Sequence, residues 1–462
     1  MQQAASSEAP TLVVVGRIKE KPGAWVRGVV EMTRGVVTAV YAGLPAGRAI
    51  GVNTIDVGDS FVLPGAVDAH VHCLSHSHEG IAAATRSAAA GGVTTIVEMP
   101  FDGAGPINSR DRLAAKQDLA AREAFIDIAL LGTLAPDGGW REAEKLVAAG
   151  AVGFKISLFL TDPARFPRIS DFDLQPTMAA VSETGATLCV HAENNEIIKG
   201  LLDQAAPLES EDPLIHPRTR PPLSESLAVL TALETAAQTG VKLHLCHLSL
   251  PRSTDLAAWY RSQGVDVTVE TCPHYLTFTE EDMNRLRGRL KINPPLRSAA
   301  DRKGLLSRLA NGSIDIVASD HAPWPAELKD RPIILSNSSG APGTETLVAL
   351  TLGRALARDR THRSFESAVD ALTITPARRF GLSSRKGSLE VGKDADVMVF
   401  APTDDAVIHA AALHSNAGWT PYEGITPGGR VTHTISRGRL VWSSAAGLHG
   451  SPGQGEVVGA EG

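Results

Sequence analysis

At 462 residues the chain is too long for one small core: the usual allowance of about 150 residues per domain gives roughly three domains, or one barrel with insertions. Lys and Arg number 44 against 51 Asp and Glu, a net charge of -7 without any basic stretch, which argues against nucleic acid as a partner. Four cysteines, at 73, 189, 246 and 272, form no CxxC pair and point to reduced thiols in a cytoplasmic compartment. No run approaches about 18 apolar residues, so no membrane span is expected, and the opening MQQAASSEAP lacks the basic and apolar regions of an export signal.

Residues 1–63 are dominated by short Val-rich runs broken by Gly and Asp, the pattern of hairpins. From residue 64 the texture becomes strand followed by helix. VDAHVH (67–72) precedes a helical pattern from His78, TTIVEMP (94–100) precedes RDRLAAKQDLAARE, and FIDIALLGTL (125–134) precedes WREAEKLVAAG. VGFKISLF (152–159), ATLCVHAE (186–193), KLHLCHLS (242–249), DVTVETCPHYL (266–276) and IDIVASDHAP (314–323) continue the beat. Strands this apolar are buried on both faces, and eight such units predict a closed (β/α)8 barrel over residues 64–382. Residues 383–447 return to hairpin texture and are expected to join 1–63 in one small β domain. The Gly-rich tail, 448–462, reads as flexible.

Barrel chemistry belongs at the C-terminal ends of the strands. HVH sets His70 and His72 two residues apart, so both point to one side of the first strand. His191, His247 and Asp320 close the fifth, sixth and eighth strands, which brings five potential metal ligands to one mouth. Lys155 stands at the matching place on the fourth strand, between Phe154 and Ile156, where a bare ammonium would cost several kcal/mol to bury. A lysine alone would snorkel to the strand end. Among these ligands it has a second use: reaction with carbon dioxide makes it a carbamate able to bridge two cations. By strand parity His244 and Cys246 face away from His247, toward the helices, and Cys73 faces away from His72. Cys189 lies one layer below His191, about 6.6 Å down the strand. His76, His78, His274 and His321 suit supporting or loop roles.

PGAVDAHVH, GGVTTIVEMP, GFK, VHAEN, CHLS, NPPLR, SDHAP and GSLEVGKDADVMVF together resemble the block motifs of the cyclic amidohydrolases: hydantoinases, dihydropyrimidinases, allantoinases and dihydroorotases. The resemblance implies a (β/α)8 barrel with a β-sandwich-like domain from both termini. It implies two divalent cations, zinc in the family, with His70, His72 and Asp320 on one, His191 and His247 on the other, and carboxylated Lys155 between them. It further implies that a hydroxide held between the cations opens a cyclic amide, with Asp320 as the catalytic proton carrier, and that Asn293, Ser339 and Gly340 contact substrate. Ser339 stands where hydantoinases typically have Asn. Leu74 and Phe101 replace the Arg and Asn with which dihydroorotases grip a carboxylate, and Leu160 replaces the Tyr of D-hydantoinases. What remains resembles the allantoinase and L-hydantoinase branch, acting on a small-molecule cyclic ureide as a homo-oligomer, commonly a tetramer. Dihydroorotase or dihydropyrimidinase activity, and a non-catalytic scaffold of the same fold, stay open as alternatives.

Overall fold

The computed structural model describes residues 10–43, 53–358 and 363–460. Most of the N-terminal stretch read above for an export signal, residues 1–9, lies outside them. Three parallel strands, Ala66–Val71, Val93–Glu98 and Asp127–Leu130, form one ladder, and Gly153–Ser157, Thr187–His191, Lys242–Leu245, Val267–Thr271 and Ile316–Val317 form another. Parallel bridges from Gly132 to Phe154 and from Val71 to His321 close the two into a barrel. All of these strand residues are buried except Lys242 and Thr268, the condition that produces continuous apolar runs instead of alternation.

The two faces of each strand enter different cores. Outward residues such as Ile96, Ile128, Phe154 and Val190 join the helices in one large cluster. Inward residues, among them Val67, Val97, Leu131, Cys189, Cys246 and Ala318, fill the barrel together with Phe380 and Leu382. Several helices start on residues that accept the first free amides: Ser109, Ser170, Asn194 and Ser298, the last in a reciprocal box with Asp301. Each such cap contributes about 1 kcal/mol and fixes where the strand-end loop stops.

The chain termini combine as the hairpin texture predicts. Their strands run in one hydrogen-bonded sheet of eight, in which Thr54–Pro64 pairs with Leu12–Lys21 on one side and Val397–Pro402 on the other. Val14, Val30 and Val37 share a core with Val397, Val399 and Ile435, so the sheet curls over on itself. Phe61, Leu63, Met398 and Phe400 belong instead to the large barrel cluster and dock the sheet on the helices.

The tail corrects an expectation. Instead of hanging free, it runs along the third barrel strand: Gly455 N–H donates to Ala124 O, Ile128 N–H to Glu456 O and Val458 N–H to Ile128 O, each at 2.9 Å. Val458 is buried in the barrel interior, and Glu456 is paired with Arg385 and Arg437. Composition misleads here because the order comes from distant partners. A Cβ at Gly455 would sit 2.0 Å from Ile126 O, so the glycine that reads as flexible is what admits the close approach. Among the described residues no helix is long and apolar enough to cross a membrane.

Candidate metal centre

The first strand brings His70 and His72 to the barrel mouth on one face, where their Nε2 atoms lie 3.3 and 3.5 Å from Asp320 Oδ1. Across the mouth His191 Nδ1 lies 3.1 Å from His247 Nε2. Ligand atoms around one tetrahedral cation, at about 2.0–2.1 Å from it, are themselves about 3.3–3.4 Å apart, so both groups have the spacing of a coordination edge. Lys155 lines the same cavity, is buried, and its Nζ has no hydrogen-bond partner. An unsatisfied buried ammonium is costly, and one added carboxyl group there would face both donor pairs. The residues therefore fit two cations and a bridging carbamate.

Hydrogen bonds behind the candidate ligands fix which nitrogen faces the mouth. His70 Nδ1 is 2.9 Å from the Glu270 carboxylate and His191 Nε2 is 2.8 Å from that of Glu193. Carboxylates only accept, so each of these two nitrogens carries a proton, and the other ring nitrogen is turned toward the mouth. His72 Nδ1 meets Ser75 Oγ at 2.9 Å, and because that hydroxyl donates to Phe101 O at 2.7 Å it must accept from the imidazole. Three imidazoles thus turn their second nitrogen inward, an arrangement typical of metal ligands. Burial holds His72 down to about 4 and His247 well below the ordinary histidine range, which keeps both neutral. His70 differs. Burial and Lys155 oppose its charge, yet Glu270 and Asp320 on either side push it up to about 10, so a cation at Nε2 would displace a proton.

Glu270 and Glu193 escaped the sequence reading. Glu270, in the strand Val267–Thr271, also accepts from His244 Nε2 and from the amide of His247; burial opposes its charge, but the two imidazoles hold it well below the carboxylate range. Glu193 is paired with buried Arg220. A charged residue inside an apolar strand was the available signal for Glu270, the same signal that singled out Lys155.

Strand parity fails at the sixth strand. Cys246 lies in the interior cluster beside Cys189, and His244 reaches Glu270 and packs on Phe380, so both face inward. His247 enters the mouth because regular strand geometry ends at Leu245 and its own backbone turns to φ 40°. Asp320 likewise has φ 47°. Left-handed backbone at non-glycine residues costs about 1–3 kcal/mol and collects at functional sites. All four cysteines are free and buried, with Cys73 on the helix side.

The cavity, about 100 Å³, brings the ligands together with Asn293, Ser339 and Gly340 and with an apolar wall that includes Met99, Phe101, Phe166 and Trp324. Asn293 Oδ1 is buried without a partner. Gly340 has φ 122°, and a Cβ there would come within 2.5 Å of Ala322 Cβ. Of the other histidines, His274 is buried with a free Nε2 and pushed down to about 4 by burial, and His321 Nδ1 accepts from Gly343 N–H. His76 lies against Trp324, and His78 is exposed. Leu74 packs on the core and Leu160 is exposed; neither lines the cavity. Arg165 stacks over Phe101 at 4.4 Å, but its charge is matched by Asp162.

Comparison with known proteins agrees with this geometry. The profile described as "Amidohydrolase family" matches residues 61–441. An allantoinase of Rubrobacter xylanophilus is 34% identical over 433 residues, 92% of this chain and 93% of the relative. An L-hydantoinase of Paenarthrobacter aurescens is 34% identical over 394 residues, 84% of this chain and 85% of the relative. The solved L-hydantoinase (dihydropyrimidinase) from Arthrobacter aurescens superposes with a TM-score of 0.92 at 30% identity, covering 98% of this chain and all of that one. With a barrel mouth built of inward-facing imidazoles and a match spanning nearly its whole length, the chain belongs to the amidohydrolase family.

Proposed function

We propose that the protein hydrolyses the cyclic amide bond of a five-membered cyclic ureide, allantoin or a 5-substituted hydantoin, to a ring-opened ureido acid. The observation that carries this is the set of inward ring nitrogens of His70, His72 and His191, facing His247, Asp320 and the unpartnered Nζ of Lys155. His70, His72 and Asp320 would hold one divalent cation, taken to be zinc, and His191 and His247 the other, with carboxylated Lys155 joining them. Bound there, the cations supply an acidified water and a polarised carbonyl. Asp320, its carboxylate set between two imidazoles, takes the proton from the attacking water and delivers it to the departing ring nitrogen. The free Oδ1 of Asn293 accepts from a ring N–H, and the Ser339–Gly340 backbone completes the polar side. Phe101, Phe166 and Met99 cover the ring and exclude bulk water.

The choice of a neutral ring rests on charge. Apart from Lys155, no described residue lining the cavity is a lysine or arginine, so a ring carboxylate would lose its hydration without gaining a cation. The test is kcat/KM for allantoin, hydantoin, dihydrouracil and dihydroorotate with one zinc-loaded preparation. Dihydroorotate is expected at least about a hundredfold below the best neutral ring, equivalent to about 2.7 kcal/mol. Dihydroorotate as the best of the four would overturn the assignment.

We also propose a cytoplasmic homo-oligomer, a tetramer by family resemblance. Free thiols support the compartment. Leu223, Leu227 and Leu230 support the association: they form an exposed stripe along the helix Pro222–Thr239.

A further inference from the structure

Two lysines are buried beside the cavity without a carboxylate partner. Lys329 is fully buried and Lys291 nearly so, and the hydrogen bonds of each Nζ go to backbone carbonyls, with the Trp419 ring 5.9 Å from that of Lys329. Lys329 Nζ donates to Lys291 O at 2.9 Å and Ser338 O at 2.7 Å; Lys291 Nζ donates to Leu335 O at 3.1 Å and to Asn337 O. Burial, reinforced by Arg220, pushes Lys291 down to about 7, and burial with Lys291 beside it holds Lys329 well below the lysine range.

The carbonyls they hold belong to two segments that wall the cavity. Lys291 O accepts from Lys329 Nζ and, at 2.9 Å, from Gly340 N–H, which ties residues 291–293 to residues 338–340. Trp324 Nε1 adds a bond to Ser339 O at 2.8 Å. Asn293 lies two residues beyond Lys291, and Ser339 directly follows Ser338. The lysines themselves do not line the cavity.

We propose that Lys291 and Lys329 are positioning residues for substrate: their Nζ-to-carbonyl bonds fix the 338–340 loop against the 291–293 segment at the spacing that grips the ring amide. The proposal rests on the functional reading above. A loop fixed before binding spares the ordering cost that a loose one would incur with each substrate molecule. Ring contacts made equally in the ground and transition states appear in KM and leave kcat alone.

Lys329→Met and Lys291→Met, each zinc-loaded, are to be compared with wild type for KM and kcat on its best cyclic ureide, for metal content, and for amide hydrogen exchange across residues 334–341. The expected result is KM raised about tenfold or more with kcat within about threefold, unchanged metal content, and faster exchange confined to that loop. Unchanged KM and exchange in both variants would overturn the proposal, as would parallel loss of kcat and metal. Should neither variant fold, wild-type exchange decides: Gly340 N–H as slow as the barrel strands supports the clamp, and Gly340 N–H at the rate of open loops overturns it. A wild type inactive on every ring would sink the functional reading, while the exchange data would still judge the clamp.

Discussion

Lys155 concentrates the chemistry of the site in one side chain. Its Nζ is buried and unpartnered among four imidazoles, so Lys155→Ala is expected to abolish hydrolysis and lower metal content, a methyl group being unable to join two cations. Short carboxylic acids added to that variant should restore part of the activity; a fully active Lys155→Ala enzyme would remove the carbamate from the account. Asp320→Asn asks a different question, because an amide can occupy the same space but cannot carry the proton. The fold and some metal are expected to persist while kcat falls by about 10²–10⁴, and near-normal kcat would require another base. Glu270→Gln tests the support behind the ligands. Its side-chain nitrogen would meet His70, His244 or the His247 amide as donor against donor, so metal affinity should fall about 10–100-fold, read by competition with a chelator.

Among the elements, the barrel strands declare themselves in sequence because burial on both faces leaves continuous apolar runs, and the candidate ligands stand out because they fall at the ends of such runs. Parity along the first strand placed His70 and His72 on one side, and they do share the mouth although the ladder shifts register between Asp68 and Val71 and the strand ends at Val71. Parity misjudged His244 and Cys246 because the sixth strand stops at Leu245 and a left-handed residue then turns His247 inward, a backbone feature with no compositional trace. Glu193 and Arg220 went unseen for a related reason: their pairing joins distant segments. Long-range pairing also secures the seam between barrel and terminal sheet. Buried Lys386 meets Asp127 of the third strand and Asp394 and Asp396 ahead of the strand Val397–Pro402. Lys386→Met leaves those carboxylates uncompensated and is expected to destabilise the protein by about 3–5 kcal/mol, seen as a lower Tm with ligand geometry unchanged. An unaltered Tm would show that the seam relaxes without its cation.

At the scale of the whole molecule, the same principle explains why the tail was misread and why assembly is only partly legible. Glycine content says that a segment can bend, whereas the bonds from Ala124, Ile128 and Arg437 decide that this one does not. The exposed leucines of Pro222–Thr239 suggest a covered face, and Leu227→Asp is expected to shift the protein to smaller species in light scattering; an unchanged mass would place the interface elsewhere. A pair of cations joined through carboxylated Lys155 is tested by reconstituting chelator-stripped protein with zinc, with and without added bicarbonate, and following hydrolysis of the best cyclic ureide. Activity is expected to rise until two equivalents of zinc per chain are bound, and recovery to depend on bicarbonate; activity complete at one equivalent and indifferent to bicarbonate would rule out the bridged pair.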